Sequence, residues 1–278
     1  MEQKFGSRKV GRQPNLSPPF PMHKLHRKRA LITAGAQGIG LAISRHLLDA
    51  GCEIVVHYRS SAAPAQALQA EATAAGRHCG LATADLTTAA GCDQLVRDAV
   101  AFLGGLDILI NNAGSLVARR TLSEGDEAFW AEVMELNLGS TRRVTRAAAP
   151  HLAAAAKAAG GASIVNLASL AGRKGGHAGS LAYSTSKGAV LTFTRALANE
   201  LGPQGIRVNA LAPGLILGTS FHTTHTSEDS ARQTIAGIPL GRAGSADDVA
   251  RAAVFLAGEF DGFITGATLD INGGVYSA

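Results

Sequence analysis

The chain has 278 residues, 46% of them hydrophobic and 17% charged, enough apolar side chains for a sizeable core in one or two domains. Aromatic residues make up 5% against 33 glycines, which suits a fold of many tight turns and argues against a stacked-aromatic nucleic-acid surface. The formal net charge is +5, but residues 1–29 hold eight Lys or Arg and one acid, so the remainder carries 18 basic against 20 acidic side chains and is nearly neutral.

The basic tail, residues 1–28, contains Pro14, Pro18, Pro19 and Pro21 and no apolar period. Such a segment cannot bury enough surface to fold alone and is expected to be disordered. Its charge is read as a solvated appendage, ahead of contact with nucleic acid or anionic lipid, and Met22 stands where a second start would fall. The tail lacks the apolar stretch of a signal peptide, and no run approaches the roughly 20 apolar residues of a membrane span. Cys52, Cys79 and Cys92 form no CxxC pair, so neither a disulfide nor a metal site is expected, and a cytoplasmic location is.

From residue 29 to 278, short β-branched or leucine-rich runs alternate with alanine-rich stretches of helical period, the pattern of βαβ units. Strands are predicted at 30–33, 53–57, 78–82, 108–110, 163–167, 207–211 and 268–271, and helices near 39–50, 62–75, 88–103, 126–157, 183–201 and 246–257. The fourth helical stretch is long enough to be two. The expected fold is therefore α/β, one domain with a doubly wound seven-stranded parallel sheet and helices on both faces. Residues 215–237 break the rhythm with Thr, Ser and His, and so long a loop in a compact domain predicts a functional lid.

The first predicted strand runs into Thr33-Ala34-Gly35-Ala36-Gln37-Gly38-Ile39-Gly40, and a helical pattern follows at once. Gly35, Gly38 and Gly40 let a backbone approach a pyrophosphate whose charge the helix N-terminus meets. After the second strand, Arg59 and Ser60 stand where a ribose 2′-phosphate would be bound by charge-assisted hydrogen bonds, and no acid is there to repel it. This favours NADP(H) over NAD(H). Arg59 as one more exposed surface charge is the plain alternative.

Tyr183 and Lys187 lie four apart in a predicted helix and so share one face. A free phenol has a pKa near about 10 and exchanges protons poorly at neutral pH unless a cation favours the phenolate, and Lys187 supplies one. Taken alone, that spacing is more often a structural pairing. Fourteen residues before the tyrosine, Ser169 closes an apolar strand, so its hydroxyl emerges at the same sheet edge and can hydrogen-bond a substrate oxygen.

These motifs resemble the short-chain dehydrogenase/reductase family over nearly the whole chain from residue 30, with Ala34 where the family has its first turn glycine and one extra residue between Ser169 and Tyr183. The resemblance implies a Rossmann-type domain over 29–278 and a tetrad of Asn137, Ser169, Tyr183 and Lys187, with Asn137 holding a water that links Lys187 to solvent. It implies that Thr33, Gly35, Gln37, Gly38, Ile39 and Gly40 cradle the cofactor and that Asp85-Leu86 meets the adenine. Asn112, Ala113 and Gly114 would line the cofactor, and Pro213, Gly214, Ile216 and Thr219 would face the nicotinamide, while Tyr183 and Lys187 also touch it. The run from Asn111 to Gly179 and the closing Asp270-Ile271-Asn272-Gly273-Gly274 look similar to bacterial keto-uronate reductases of alginate breakdown and to 3-oxoacyl-acyl-carrier-protein reductases.

The implied function is hydride transfer between NAD(P)H and a small-molecule carbonyl or secondary alcohol, in the direction of ketone or aldehyde reduction. Arg119, Arg120, Arg173, Lys174, His177, His222 and His225 gather near the expected mouth and suit an anionic substrate. Trp130 and Phe129 are read as core or subunit interface, and the family's usual homotetramer is expected, without nucleic acid or membrane. The alternatives are an NAD-dependent alcohol or sugar dehydrogenase and a non-catalytic NADP(H)-binding regulator.

Overall fold

The computed structural model describes residues 25–219, 224, 226–258 and 262–277. Among the described residues seven strands are formed: β1 (Arg29–Ile32), β2 (Glu53–Tyr58), β3 (Cys79–Thr83), β4 (Ile108–Asn111), β5 (Ala162–Leu167), β6 (Ile206–Pro213) and β7 (Thr268–Ile271). They pair in parallel in the order β3-β2-β1-β4-β5-β6-β7. The chain thus winds outward from β1 to β3, returns to β4 beside β1, and winds the other way. The loops after β1 and β4 diverge at that reversal, where open α/β sheets bind ligands.

The apolar strand runs reflect burial on both faces. Alternate residues serve opposite sides: Ile32, Ile54, Val56 and Ile110 enter one core with Ile43, Leu68 and Val249, while Leu31, Val55, Leu109 and Ile164 enter the other with Leu95, Leu152 and Leu197. Each fully buried aliphatic side chain contributes about 1.5–3 kcal/mol. The first core is covered by α1 (Gly38–Asp49), α2 (Ala62–Ala74) and, further along the chain, α9 (Ala246–Ala257). The second is covered by α3 (Ala89–Leu103), α5 (Ser140–Ala159) and α7 (Leu181–Leu201).

The predicted helix over 126–157 is α4 (Glu127–Met134), a π-helical turn (Glu135–Gly139) and α5 in one continuous run. Side chains compete here for backbone carbonyls: Asn137 Nδ2 donates to Val133 O, Ser140 Oγ to Leu136 O and Thr141 Oγ1 to Asn137 O, a pattern that bends or widens helices. Two expectations need correction. The tail does not extend to residue 28: Leu25 is buried, Cys52 Sγ donates to its carbonyl, and Arg27 N and Glu53 N bond Gly51 O and Lys28 O. Residues 1–24, Met22 included, lie outside the described residues. The lid segment is not all loop, because α8 (Glu228–Ala236) starts within it, with Ser227 accepting from Ser230 N and Glu228 and Asp229 in its first turn. It buries only Ala231, so its apolar period is too weak to read. The short α6 (Leu170–Lys174) was hidden for the same reason.

Candidate active site

The turn from β1 into α1 delivers a helix N-terminus to the reversal point. Gln37 caps it with backbone alone, and its first turn holds no acid. By contrast α9 closes its own start with a Ser245/Asp248 capping box. The α1 amides are thus left for an anion, and the dipole favours one. Thr33 does not face the cleft. Its hydroxyl accepts Asn112 N at 2.9 Å and Ala113 N at 3.0 Å and donates to Ile110 O, and Asn112 Nδ2 donates to Thr33 O and Ala34 O. These bonds tie the β1 and β4 loops together. Gly35 packs on Ile32 and Ser44 and likewise lines neither cavity described below.

A cavity of about 310 Å³ beyond the turn is lined by Gln37, Arg59, Ser60, Ser61, Asp85, Leu86, Ala113 and Gly114. Arg59 and Ser60 are exposed at its rim, and Ser61 Oγ donates to Gln37 Oε1 at 3.1 Å, joining the β2 end to the turn. Asp85 accepts from Thr87 N and Oγ1, which holds its carboxyl below the usual range. His57 is buried between these loops, and its sequence signal is a lone imidazole inside the apolar run Ile54-Val55-Val56-His57.

The adjoining cleft, about 580 Å³, is lined by Gln37, Gly38, Ile39, Gly40, Asn112, Gly114, Ser169, Tyr183, Lys187, Pro213, Gly214, Ile216 and Thr219. Ser169 leaves β5 and caps α6, accepting Ala171 N at 3.1 Å. Gly172 lets α6 lie on α7: a Cβ there would sit 2.6 Å from the Lys187 carbonyl carbon. This contact brings Ser169 to the Tyr183 phenol, to which it is hydrogen-bonded. Burial raises the phenol's pKa and the Ser169 bond opposes that. Lys187, 4% exposed, donates to Leu167 O at 2.7 Å, and burial lowers its pKa to about 8. Its ammonium lies 5.9 Å from the Tyr183 ring centre.

Asn137 lines neither cavity. Its side chain accepts Ser115 N at 3.0 Å and donates to Ser115 O and Val133 O, each at 2.9 Å. It still adjoins the lysine, because a Cβ on Gly114 would meet Asn137 Oδ1 at 2.5 Å and Lys187 Nζ at 2.9 Å. The π turn thus sets Asn137 against the same glycine that Lys187 reaches from the other side.

The rest of the cleft is lined by Leu116, Arg119, Lys174, His177 and, from α8, Ser230, Gln233 and Thr234. The α8 residues were not predicted. Two expected mouth cations are engaged elsewhere. Arg173 pairs with Asp270 through Nε and Nη2, both at 3.1 Å, and lies over Tyr276, while Arg120 lies over Phe129 near Asp126. His222 and His225 lie outside the described residues. No cluster able to hold a metal ion occurs among the described residues, and none of their helices is long and apolar enough to cross a membrane. Cys52, Cys79 and Cys92 are free and buried.

A parallel sheet with a phosphate-ready turn at its reversal and a Ser-Tyr-Lys group beside it defines a dinucleotide-dependent oxidoreductase. The family model described as enoyl-(acyl carrier protein) reductase matches residues 33–276. Nodulation protein G of Azospirillum brasilense is 36% identical over 251 residues, covering 90% of this chain and 99% of that protein. The crystal structure of NADH-dependent reductase A1-R′, responsible for alginate metabolism, aligns with TM-score 0.84 and 34% identity over 92% of this chain and all of that one. A blue fluorescent protein from a metagenomic library, in complex with NADPH, aligns with TM-score 0.82 and 33% identity over 91% and 100% of the two chains. The chain belongs to the short-chain dehydrogenase/reductase family and is an NAD(P)H-dependent oxidoreductase.

Proposed function

We propose that this protein is an NADP(H)-preferring carbonyl reductase in which Ser169 polarises the substrate oxygen and Tyr183 donates the proton. The observation that carries the reading is the Ser169–Tyr183 hydrogen bond on the floor of a cleft that continues to the uncapped α1 N-terminus. The residues present fit a dinucleotide: free helix amides and Gly38 for the pyrophosphate, Arg59 and Ser60 for a 2′-phosphate, Leu86 and Ala113 for the adenine. When bound, the nicotinamide supplies the hydride. Tyr183 holds the proton at its phenolic oxygen, Ser169, whose hydroxyl accepts Ala171 N and bonds the phenol, turns its hydrogen to the substrate oxygen in the complex, and Lys187 favours the phenolate left behind. Asn137 holds the β4 loop and the lysine pocket in register and, in this reading, the water that returns the proton.

Arg119, Lys174 and His177 at the open end support an anionic carbonyl substrate such as a keto acid. Use of NADH is the second reading, favoured by the likeness to an NADH-dependent reductase. We also read the chain as a cytoplasmic homotetramer, as is usual in the family. The test is a carbonyl panel of keto-uronates, acetoacetyl thioesters and simple sugars, run with NADPH and NADH. Oxidation of NADPH ahead of NADH is the expected result. Faster NADH oxidation overturns the cofactor preference, and no turnover on any carbonyl favours the non-catalytic regulator.

A further inference from the structure

His57 is the polar member of the apolar run in β2 and is 3% exposed. Its Nδ1 accepts the Ala34 N–H at 3.0 Å, its Nε2 lies 3.1 Å from the Ala84 carbonyl, and its own carbonyl accepts the Gly35 N–H at 2.9 Å. An amide N–H only donates and a carbonyl only accepts, so a single form satisfies both ring contacts, the neutral imidazole protonated at Nε2. Ala34 has φ +48°, the left-handed region that a Cβ disfavours. It lines both cavities, and Ala84 immediately precedes Asp85 at the rim of the smaller one.

We propose that His57 is a positioning residue for the dinucleotide: its ring, fixed in one tautomer, latches the alanine-bearing turn in the left-handed conformation that shapes the cofactor cleft. The inference rests on the reading of that cleft as a nicotinamide dinucleotide site. A glycine would hold this conformation unaided. With alanine there, the turn needs both backbone groups of residue 34 secured, the N–H by His57 and the carbonyl by Asn112. Burial, with Arg59 nearby, pushes the imidazole pKa down, which keeps the ring in its accepting form at neutral pH.

The experiment measures NADPH and NADH dissociation constants by cofactor fluorescence, alongside kcat at saturating cofactor. His57→Gln, whose amide reaches toward Ala84 but offers no acceptor near Nδ1, is expected to weaken both dinucleotides by about tenfold with kcat nearly unchanged. Adding Ala34→Gly to His57→Gln restores affinity, because the strain the latch opposed is gone. His57→Asn, with an amide oxygen close to the Nδ1 position, keeps most of the affinity. No loss in His57→Gln, or a loss that persists undiminished with Ala34→Gly, overturns the latch. In the unsubstituted protein ¹⁵N chemical shifts are expected to give a proton on Nε2, and a proton on Nδ1 overturns the proposal whether or not any variant folds. Failure of the unsubstituted protein to bind either dinucleotide overturns the site reading itself, whereas binding without coupling to Ala34 overturns the latch alone.

Discussion

Lys187 and Tyr183 respond to burial in opposite directions, the ammonium pulled down to about 8 and the phenol pushed up. In the cofactor-free protein the lysine therefore loses its proton first. Its ordinary pKa is about 10.4, so the cation is present below about pH 8 and absent above it. The kcat/KM for NADPH, which reports the free enzyme, is expected to fall as pH rises through about 8, and a profile flat to about pH 10 would count against a role for the charge. Tyr183→Phe removes the hydroxyl proposed as proton donor while leaving the ring that lines the cleft. Turnover should fall by about 10²–10⁴-fold with NADPH binding retained in a fluorescence titration. Near-normal turnover would sink the assignment.

At the scale of elements, α6 and α7 touch backbone to backbone at Gly172, and the β4 loop passes between Asn137 and Lys187 at Gly114. Gly114→Ala places a methyl group 2.5 Å from Asn137 Oδ1 and 2.9 Å from Lys187 Nζ. Overpacking of this kind costs about 1–3 kcal/mol, so the variant should lose stability in urea unfolding and lose activity beyond what its folded fraction explains. Activity that merely tracks the folded fraction would separate the loop from the lysine pocket. The central strands were legible because they are buried on both faces and read as largely apolar runs, as in Ile108–Asn111, while the half-buried β7 was marked by its place after the last helix. Tyr183, Lys187 and Ser169 were legible because strand and helix periods fix where side chains emerge. The π turn and α8 were not. One arises from side-chain competition for carbonyls that sequence period cannot express, and the other buries Ala231 alone. The engagement of Arg173 by Asp270 was equally hidden, since the two lie 97 residues apart.

At the end of the sheet opposite the cleft, Asp107 accepts from Arg29 N and Nε and lies 3.7 Å from Lys28. Burial alone would raise its carboxyl pKa, but the Arg29 hydrogen bonds outweigh burial and hold it below the usual range. A lowered folded pKa contributes stability that is fully present above the unfolded value, about 3.9, and is lost as pH falls through the folded one. The stability gap between the unsubstituted protein and Asp107→Asn, measured by urea unfolding, should narrow from pH 6 to pH 3. A gap independent of pH would assign the defect to packing instead.

The reversal of strand order between β1 and β4 also divides labour. Strands β1 to β3 carry Gln37, Arg59 and Asp85, whereas β4 to β6 lead into Gly114, Ser169 and Pro213, and α7 between β5 and β6 bears Tyr183 and Lys187. The two halves are stitched at this crevice by bonds between Thr33, Ala34, Asn112 and Ala113. On the proposed reading the two halves would divide the coenzyme's far end from the proton chemistry, so exchanging β2–β3 and its loops for those of a relative is expected to change the NADPH:NADH preference while leaving the carbonyl preference in place, as measured by kcat/KM with each coenzyme.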